Sequence, residues 1–271
     1  AVQRLDDLGF TVTPFSVQQQ RGADGEAVPA GAGNTCVMLE DGYLEFLTPL
    51  ADTPVGRELT AGIERHVGPH IAAFAVADAA AHSNRLAIAG FEQSPPVALR
   101  REVEQSDGSR REAAFTVARS APPGMPEGRF QLLTHHTPEV IWQPRWMTHA
   151  NGVTGLVATV VLVRSLVEAT ARFARWFDQT PIACAGGVCF QPGFGTVLLT
   201  DSARLARVIP VDPEITVPGI AASILVGSDP GVWADGVEHG GLSWFRAGTA
   251  LGGALALVPE GEDVPALLAS S

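Results

Sequence analysis

Residues 42–48 read GYLEFLT and residues 128–134 read GRFQLLT, and the two superpose without a gap, so that Glu45 falls on Gln131. A second pair, PHIAAFAVAD from Pro69 and PGIAASILVGSD from Pro218, sets His70 against Gly219. A repeated supersecondary unit constrains a fold more than local propensity does, because each copy buries its apolar face against another copy. Polar side chains able to carry a metal or a proton stand at matched places in one half of the chain and are lost in the other. The functional signal of the sequence lies in that asymmetry.

A chain of 271 residues makes one large or two ordinary domains. With 46% hydrophobic and 17% charged residues it has enough apolar material for a full core. The net charge of −11 opposes binding to nucleic acid or to an anionic membrane. All 18 cationic side chains are arginines. Without lysine, Schiff-base chemistry, pyridoxal phosphate attachment and the phosphate-loop lysine are excluded. The three cysteines, Cys36, Cys184 and Cys189, are too sparse for a disulfide framework and fit a reducing compartment. No histidine or third cysteine near Cys184 and Cys189 completes a zinc site, so they read as small buried hydrophobes. The apolar run 153–163 is too short to span a bilayer and no signal-peptide architecture is present, so the expected location is cytoplasmic.

Periodicity divides the chain into four units. The first reads as a helix ending at Gly9, then strands TVTPFSV, NTCVMLE and YLEFLTP, with residues 18–33 as a long mobile loop. The second reads as strand HIAAFAVAD, helix AAAHSNRLAIAG, strand PPVALRREVE, a turn at 106–108, and strands REAAFTVARS and RFQLLTH. Residues 137–152, with Trp142, Trp146 and His149, form a linker. The third has strand VTGLVATVVLV, helix SLVEATARFARWF, and strands PIACAGGVCF and GTVLLTD. The fourth has strand GIAASILVGS, a helical stretch near Trp233, and strands SWFRAGTA and GGALALVP, with the residues from Asp263 on free to fray. Four strand-helix-strand-strand-strand units are expected, the first without its opening strand.

LGFTVTP, NTCVMLEDGYLEFL, PHIAAFAVAD, HHTPEVIWQP and HANGVTGL together resemble the glyoxalase-like proteins of the vicinal oxygen chelate superfamily, in the long form with four βαβββ modules. The likeness is good from Ala1 to Asp201 and looser in the last module. It implies an α+β fold in which tandem βαβββ modules pair into cupped mixed sheets, with modules one and two in residues 1–147 and modules three and four in 148–271. It also implies a divalent metal held by first-strand and fourth-strand residues of a module pair. Placed by position, those ligands are Glu45 and Gln131 on the fourth strands and His70 on the first strand of module two. The first-strand place of module one would precede Ala1.

The residues support part of that reading by themselves. One imidazole, one carboxylate and one amide suit Zn, Ni, Mn, Fe or Mg. Strand alternation sets Glu45 opposite Leu44 and Phe46, and Gln131 opposite Phe130 and Leu132, so both enter one face. The plainer alternative is that Glu45 and Gln131 are ordinary polar residues of a solvated cup, and that His70 is a satisfied surface or core histidine. His135 lies on the same face as Gln131, about 13 Å along the strand, and is a candidate base at the rim, with a solvent-facing turn residue as the alternative. Trp142 and Trp146 are expected to seal the junction between halves. Arg100, Arg101, Arg110 and Arg111 flank a hairpin, and one could reach an anionic substrate. In the second half Leu156, Val197 and Gly219 take the ligand places, which makes that half a scaffold.

Two functions follow as expectations. In the first, a metal holds two adjacent oxygens of a small substrate while Glu45 moves a proton at the neighbouring carbon, giving lyase or isomerase chemistry of the glyoxalase type. In the second, the same cup binds or sequesters a small molecule without catalysis. A homodimer is compatible with either.

Overall fold

The computed structural model describes residues 1–21, 27–120, 123–193, 195–228, 233, 236–248 and 250–270. Module one comprises α1 (Val2–Asp7), β1 (Ser16–Arg21), β2 (Ala27–Met38) and β3 (Tyr43–Pro49). Helix α2 (Pro54–Arg65) leads to module two: β4 (Ile71–Ala75), α3 (Ala79–Ile88), β5 (Val97–Glu104), β6 (Arg110–Ser120) and β7 (Arg129–His135). Two short helices, α4 (Pro138–Ile141) and α5 (Pro144–Met147), precede module three: β8 (Val153–Val163), α6 (Leu166–Phe177), β9 (Ile182–Cys184), β10 (Gly187–Phe190) and β11 (Thr196–Asp201). After α7 (Leu205–Val208) come β12 (Gly219–Gly227), β13 (Val237–His239), β14 (Leu242–Arg246), β15 (Ala254–Pro259) and α8 (Val264–Ser270). The βαβββ grammar is therefore present, and the fold is the α+β arrangement the repeats imply.

Modules three and four share one eight-stranded sheet, ordered β13-β14-β15-β12-β8-β11-β10-β9. Its centre is the antiparallel pair of opening strands, β12 and β8, and each also pairs in parallel with its own module's last strand. Module two repeats that order as β4-β7-β6-β5, with β4 parallel to β7. Module one forms a separate sheet, β1-β2-β3. It joins the second half through Asp41, whose carbonyl accepts from Leu156 N at 2.8 Å.

The glycine that opens each copy of the seven-residue repeat has a physical reason at both places. Gly42 turns the chain from β2 into β3 at φ +91, a region that side chains rarely adopt. At Gly128 an added Cβ would stand 2.5 Å from the His70 carbonyl oxygen, so β4 and β7 could not approach.

Several local readings need correction. Residues 18–21 and 27–33 are not a loop: β1 and β2 pair as antiparallel strands, and residues 22–26 lie outside the described residues. Gln19 and Gln20 are paired opposite Pro29 and Val28. PIACAGGVCF is two strands, and its fold brings Cys184 Sγ within 2.9 Å of Cys189 Sγ. Helix α2 was missed; its N-terminal signal is Thr53, whose hydroxyl accepts from Gly56 N at 3.0 Å, followed by Pro54. The C-terminal residues form α8, which packs Val264 and Leu268 under the large sheet. The helical stretch expected near Trp233 falls largely outside the described residues. No helix among the described residues is long and apolar enough to cross a membrane.

Candidate functional site

The two sheets of the first half face each other across a packed seam, hereafter the cleft, that is set by side-chain alternation. On β2 and β3, Val37, Leu44 and Phe46 turn toward α1 and the large sheet. Tyr43 and Glu45 therefore face the other way, beside their cross-strand partners Met38 and Cys36. On β7, Phe130 and Leu132 pack with Phe173 and Trp176 of α6, which leaves Arg129, Gln131 and His135 on the opposite face. Phe115 and Arg119 of β6 stand across from His135 and Gln131. The two faces meet where Cys36 and Met38 cluster with Ala113, Val140 and Ile141, and where Tyr43, Phe115 and Trp142 pack on them.

One end of this cleft is aromatic. The His135 ring lies edge-on to Tyr43, Phe115 and Trp142, with centroids 6.2, 5.4 and 4.9 Å away. Its Nε2 is buried and has no hydrogen-bond partner among the described residues. Burial, and secondarily the neighbouring His136, push the His135 pKa down to about 4, so the imidazole is neutral at neutral pH. His136 points away and bonds the Thr116 hydroxyl at 2.8 Å. Glu45 is one strand repeat along from Tyr43, and its carboxylate accepts from the Asn34 side-chain amide. Burial first, then the Glu45 charge, raise the Cys36 thiol to about 12 and raise the Tyr43 phenol well above its usual value. Neither is an anionic nucleophile at neutral pH. Trp142 packs against the His135 ring, and its indole N–H donates to the Leu39 carbonyl at 3.0 Å.

The other end is cationic. Arg129, with a side chain 13% exposed, pairs with Glu58 of α2 at 2.8 Å. Arg119 stands one strand away, and Gln131 is directly across from Arg119 and two residues from Arg129. The Nε atoms of both arginines are buried without a partner among the described residues. The sequence reading missed both, because neither belongs to a charge cluster. Their signal was positional: Arg129 is the repeat equivalent of Tyr43. Of the four hairpin arginines, Arg100, Arg110 and Arg111 form exposed ion pairs with Glu112, Glu102 and Glu139. Arg101, across from buried Ala113, is the one whose charge is felt at Cys36 and Tyr43.

His70 stands just before β4 and not within it. Its Nε2 lies 2.9 Å from the His66 carbonyl, and its ring packs on the His66 ring with centroids 4.3 Å apart. Among the described residues no hydrogen bond joins any two of Glu45, His70 and Gln131, and no three His, Cys, Asp or Glu side chains gather into a metal-holding group. A divalent cation at Gln131 would sit beside two guanidinium groups, which repel it. Among the described residues no further His, Cys, Asp or Glu side chain joins Glu45 and His70 in a metal-holding group.

The second half differs from the expectation by one residue. Aligning GTVLLTD on GRFQLLT puts Leu198 on Gln131, and Leu198 lies in the cluster beneath α7 and α8 while Val197 faces α6. On β8, Val157 packs on that cluster and Leu156 on the opposite one. A one-residue slip exchanges faces in a strand. That face of the large sheet is filled by Val208, Ile209, Val264 and Leu268. His149 uses both nitrogens, taking Thr11 N and meeting the Met38 carbonyl, and His239 bonds the Arg207 carbonyl. A hollow of about 560 Å³ lined by Pro49, Asp52, Arg57 and Glu64 lies on the side of α2 away from Glu58, so it is not this cleft.

One family model and one solved structure agree with this architecture. The family model described as a glyoxalase-like domain matches residues 1–177. No curated protein matches the chain. A crystal structure of a hypothetical protein from Staphylococcus aureus superposes with a TM-score of 0.64 at 10% identity, covering 94% of each chain. A mutant 4-hydroxymandelate synthase from Streptomyces coelicolor gives 0.49 at 16% identity, over 94% of this chain and 89% of that one. A xylose isomerase-like TIM barrel/4-hydroxyphenylpyruvate dioxygenase fusion protein gives 0.47 at 12% identity, over 84% of this chain and 34% of that one. With the family match spanning well over half its length and the repeated βαβββ modules in place, this chain belongs to the glyoxalase-like family of the vicinal oxygen chelate superfamily.

Proposed function

We propose that this protein binds a small molecule in the first-half cleft, with residues 1–147 as the binding half and 148–271 as its scaffold. The observation that carries the reading is the buried, unpartnered Nε2 of neutral His135 in an aromatic recess. An orphaned buried polar atom in native protein calls for a partner, and a ligand supplies one. The partner is a small molecule and not nucleic acid, as the net charge of −11 favours. Glu45 contributes an acceptor beside the recess, positioned by Asn34.

A second reading keeps the metal-dependent lyase or isomerase, with Glu45, His70 and Gln131 rearranged around a divalent ion and Glu45 and His135 as proton carriers. Its support is the carboxylate and the neutral imidazole on either side of Tyr43, both able to accept a proton. Elemental analysis of the purified full chain and of Glu45→Ala separates the two. The binding reading expects substoichiometric metal in both, with a co-purifying or titratable small molecule displaced in His135→Phe. One equivalent of divalent metal in the wild type that is lost in Glu45→Ala would establish the second reading instead.

A further inference from the structure

Two neighbouring guanidinium groups with a single ion-pairing carboxylate are an unbalanced arrangement. Arg129 has Glu58; among the described residues no acceptor bonds the Arg119 guanidinium, and its Nε is buried. Burial first and the adjacent Arg129 charge second disfavour the Arg119 cation, and Glu58 offsets them only in part. Packing alone does not require a second cation here, since this face of β6 and β7 elsewhere carries Val117 and Leu133. Arginine presents fixed N–H donors that match an oxyanion with two acceptor atoms, and such charge-assisted bonds strengthen where water is scarce.

We infer that Arg119 and Arg129 form an oxyanion-binding site on the cleft face of β6 and β7, with the Gln131 amide between them as a third donor, and that it takes the carboxylate or phosphate of a small ligand. The anion sits between two strands at the end of the cleft opposite the His135 recess. A ligand spanning both would place its charged group on the arginines and its apolar or polar body against Tyr43, Phe115 and Trp142. This names the ligand class for the function proposed above, and so rests on that reading for the second part only: the anion site stands on its own geometry. Glu58 competes with the ligand for Arg129 and sets a ceiling on affinity.

The test is a titration of the full chain, labelled with ¹⁵N at arginine, with inorganic phosphate and separately with acetate, followed at the Arg Nε–H signals. Saturable shifts of two arginine signals are expected with one or both anions, and the tighter of the two identifies the ligand's headgroup. Arg119→Gln should weaken binding at least tenfold, Arg119→Lys less, and Arg110→Gln, on the exposed hairpin, not at all. Glu58→Gln, at an exposed position, should tighten binding several-fold, which a purely structural role for the arginines does not produce. Non-saturable shifts, or equal losses in Arg119→Gln and Arg110→Gln, or no gain in Glu58→Gln, would overturn the proposal. His135→Phe reads the recess separately, with phenyl phosphate as a probe that carries an aromatic body: unchanged inorganic phosphate binding with weakened phenyl phosphate binding supports both assignments. Intact anion binding with no effect of His135→Phe on phenyl phosphate would leave the arginine site standing and refute the recess.

Discussion

His135 shows how one residue type at one place carries several readings until its neighbours are known. The sequence placed it on the face of Gln131, and the structure keeps it there, edge-on to three aromatic rings. Nothing in the letters HH distinguishes it from His136, which meets a threonine hydroxyl on the other face. Because its folded pKa is about 4 and the unfolded value is near 6.5, the unfolded chain binds more protons between those values. Stability from this group is therefore complete above about pH 6.5 and declines as pH falls toward 4, with a slope of at most about 1.4 kcal/mol per pH unit. His135→Phe should flatten the loss of stability between pH 6.5 and 4 in denaturant titrations. An unchanged slope would show that the imidazole is hydrated in the folded protein. The same limit of sequence explains Glu45, His70 and Gln131. Their faces were legible from alternation, but His70 lies outside its strand and bonds a carbonyl four residues back, which no spacing rule shows.

At the scale of elements, most strongly periodic segments were legible and the weakly patterned ones were not. Helix α6 follows its apolar stripe, Ala169, Phe173 and Trp176, and ends at Asp178 in a left-handed turn at φ 55. Strand β7 follows its alternation. Helix α2 carries Val55, Leu59 and Ile63 at helical spacing behind the Thr53 cap, so its signal was present in the sequence although Gly56 is its one fully buried residue. The β1–β2 pairing was hidden by glutamines and glycines that fold into a ladder on tertiary support. One inter-element contact is sharply testable. Arg172 of α6 reaches Glu127, just before β7, through paired bonds of 2.9 and 2.7 Å, and both side chains are at most 8% exposed. Removing one partner of a buried pair leaves the other uncompensated, so Glu127→Ala should cost about 3–5 kcal/mol in chemical denaturation. A loss below about 1 kcal/mol would mean that Glu168, the other partner of Arg172, takes over the charge.

At the scale of the molecule, four modules have two fates. The second half joins its opening strands into one continuous sheet and fills the face below it with α7 and α8. The first half has two separate sheets that meet face to face, with aromatic rings at one end of the seam and arginines at the other. The sequence pointed to a loss of polar residues in the second half but put it at Leu156 and Val197, one residue from Val157 and Leu198, which hold the equivalent face. The arginine end was not legible, because the pairing of β6 with β7, which sets Arg119 across from Gln131, is a long-range register that no local pattern encodes. The most direct measurement is anomalous diffraction from a crystal soaked in bromide, an anion that reports on desolvated cationic recesses. An ordered bromide is expected within hydrogen-bonding reach of Arg119 and Arg129, and none on the filled face of the eight-stranded sheet. Bromide bound against the second-half sheet with the arginine pair empty would contradict the claim that the first half carries the site.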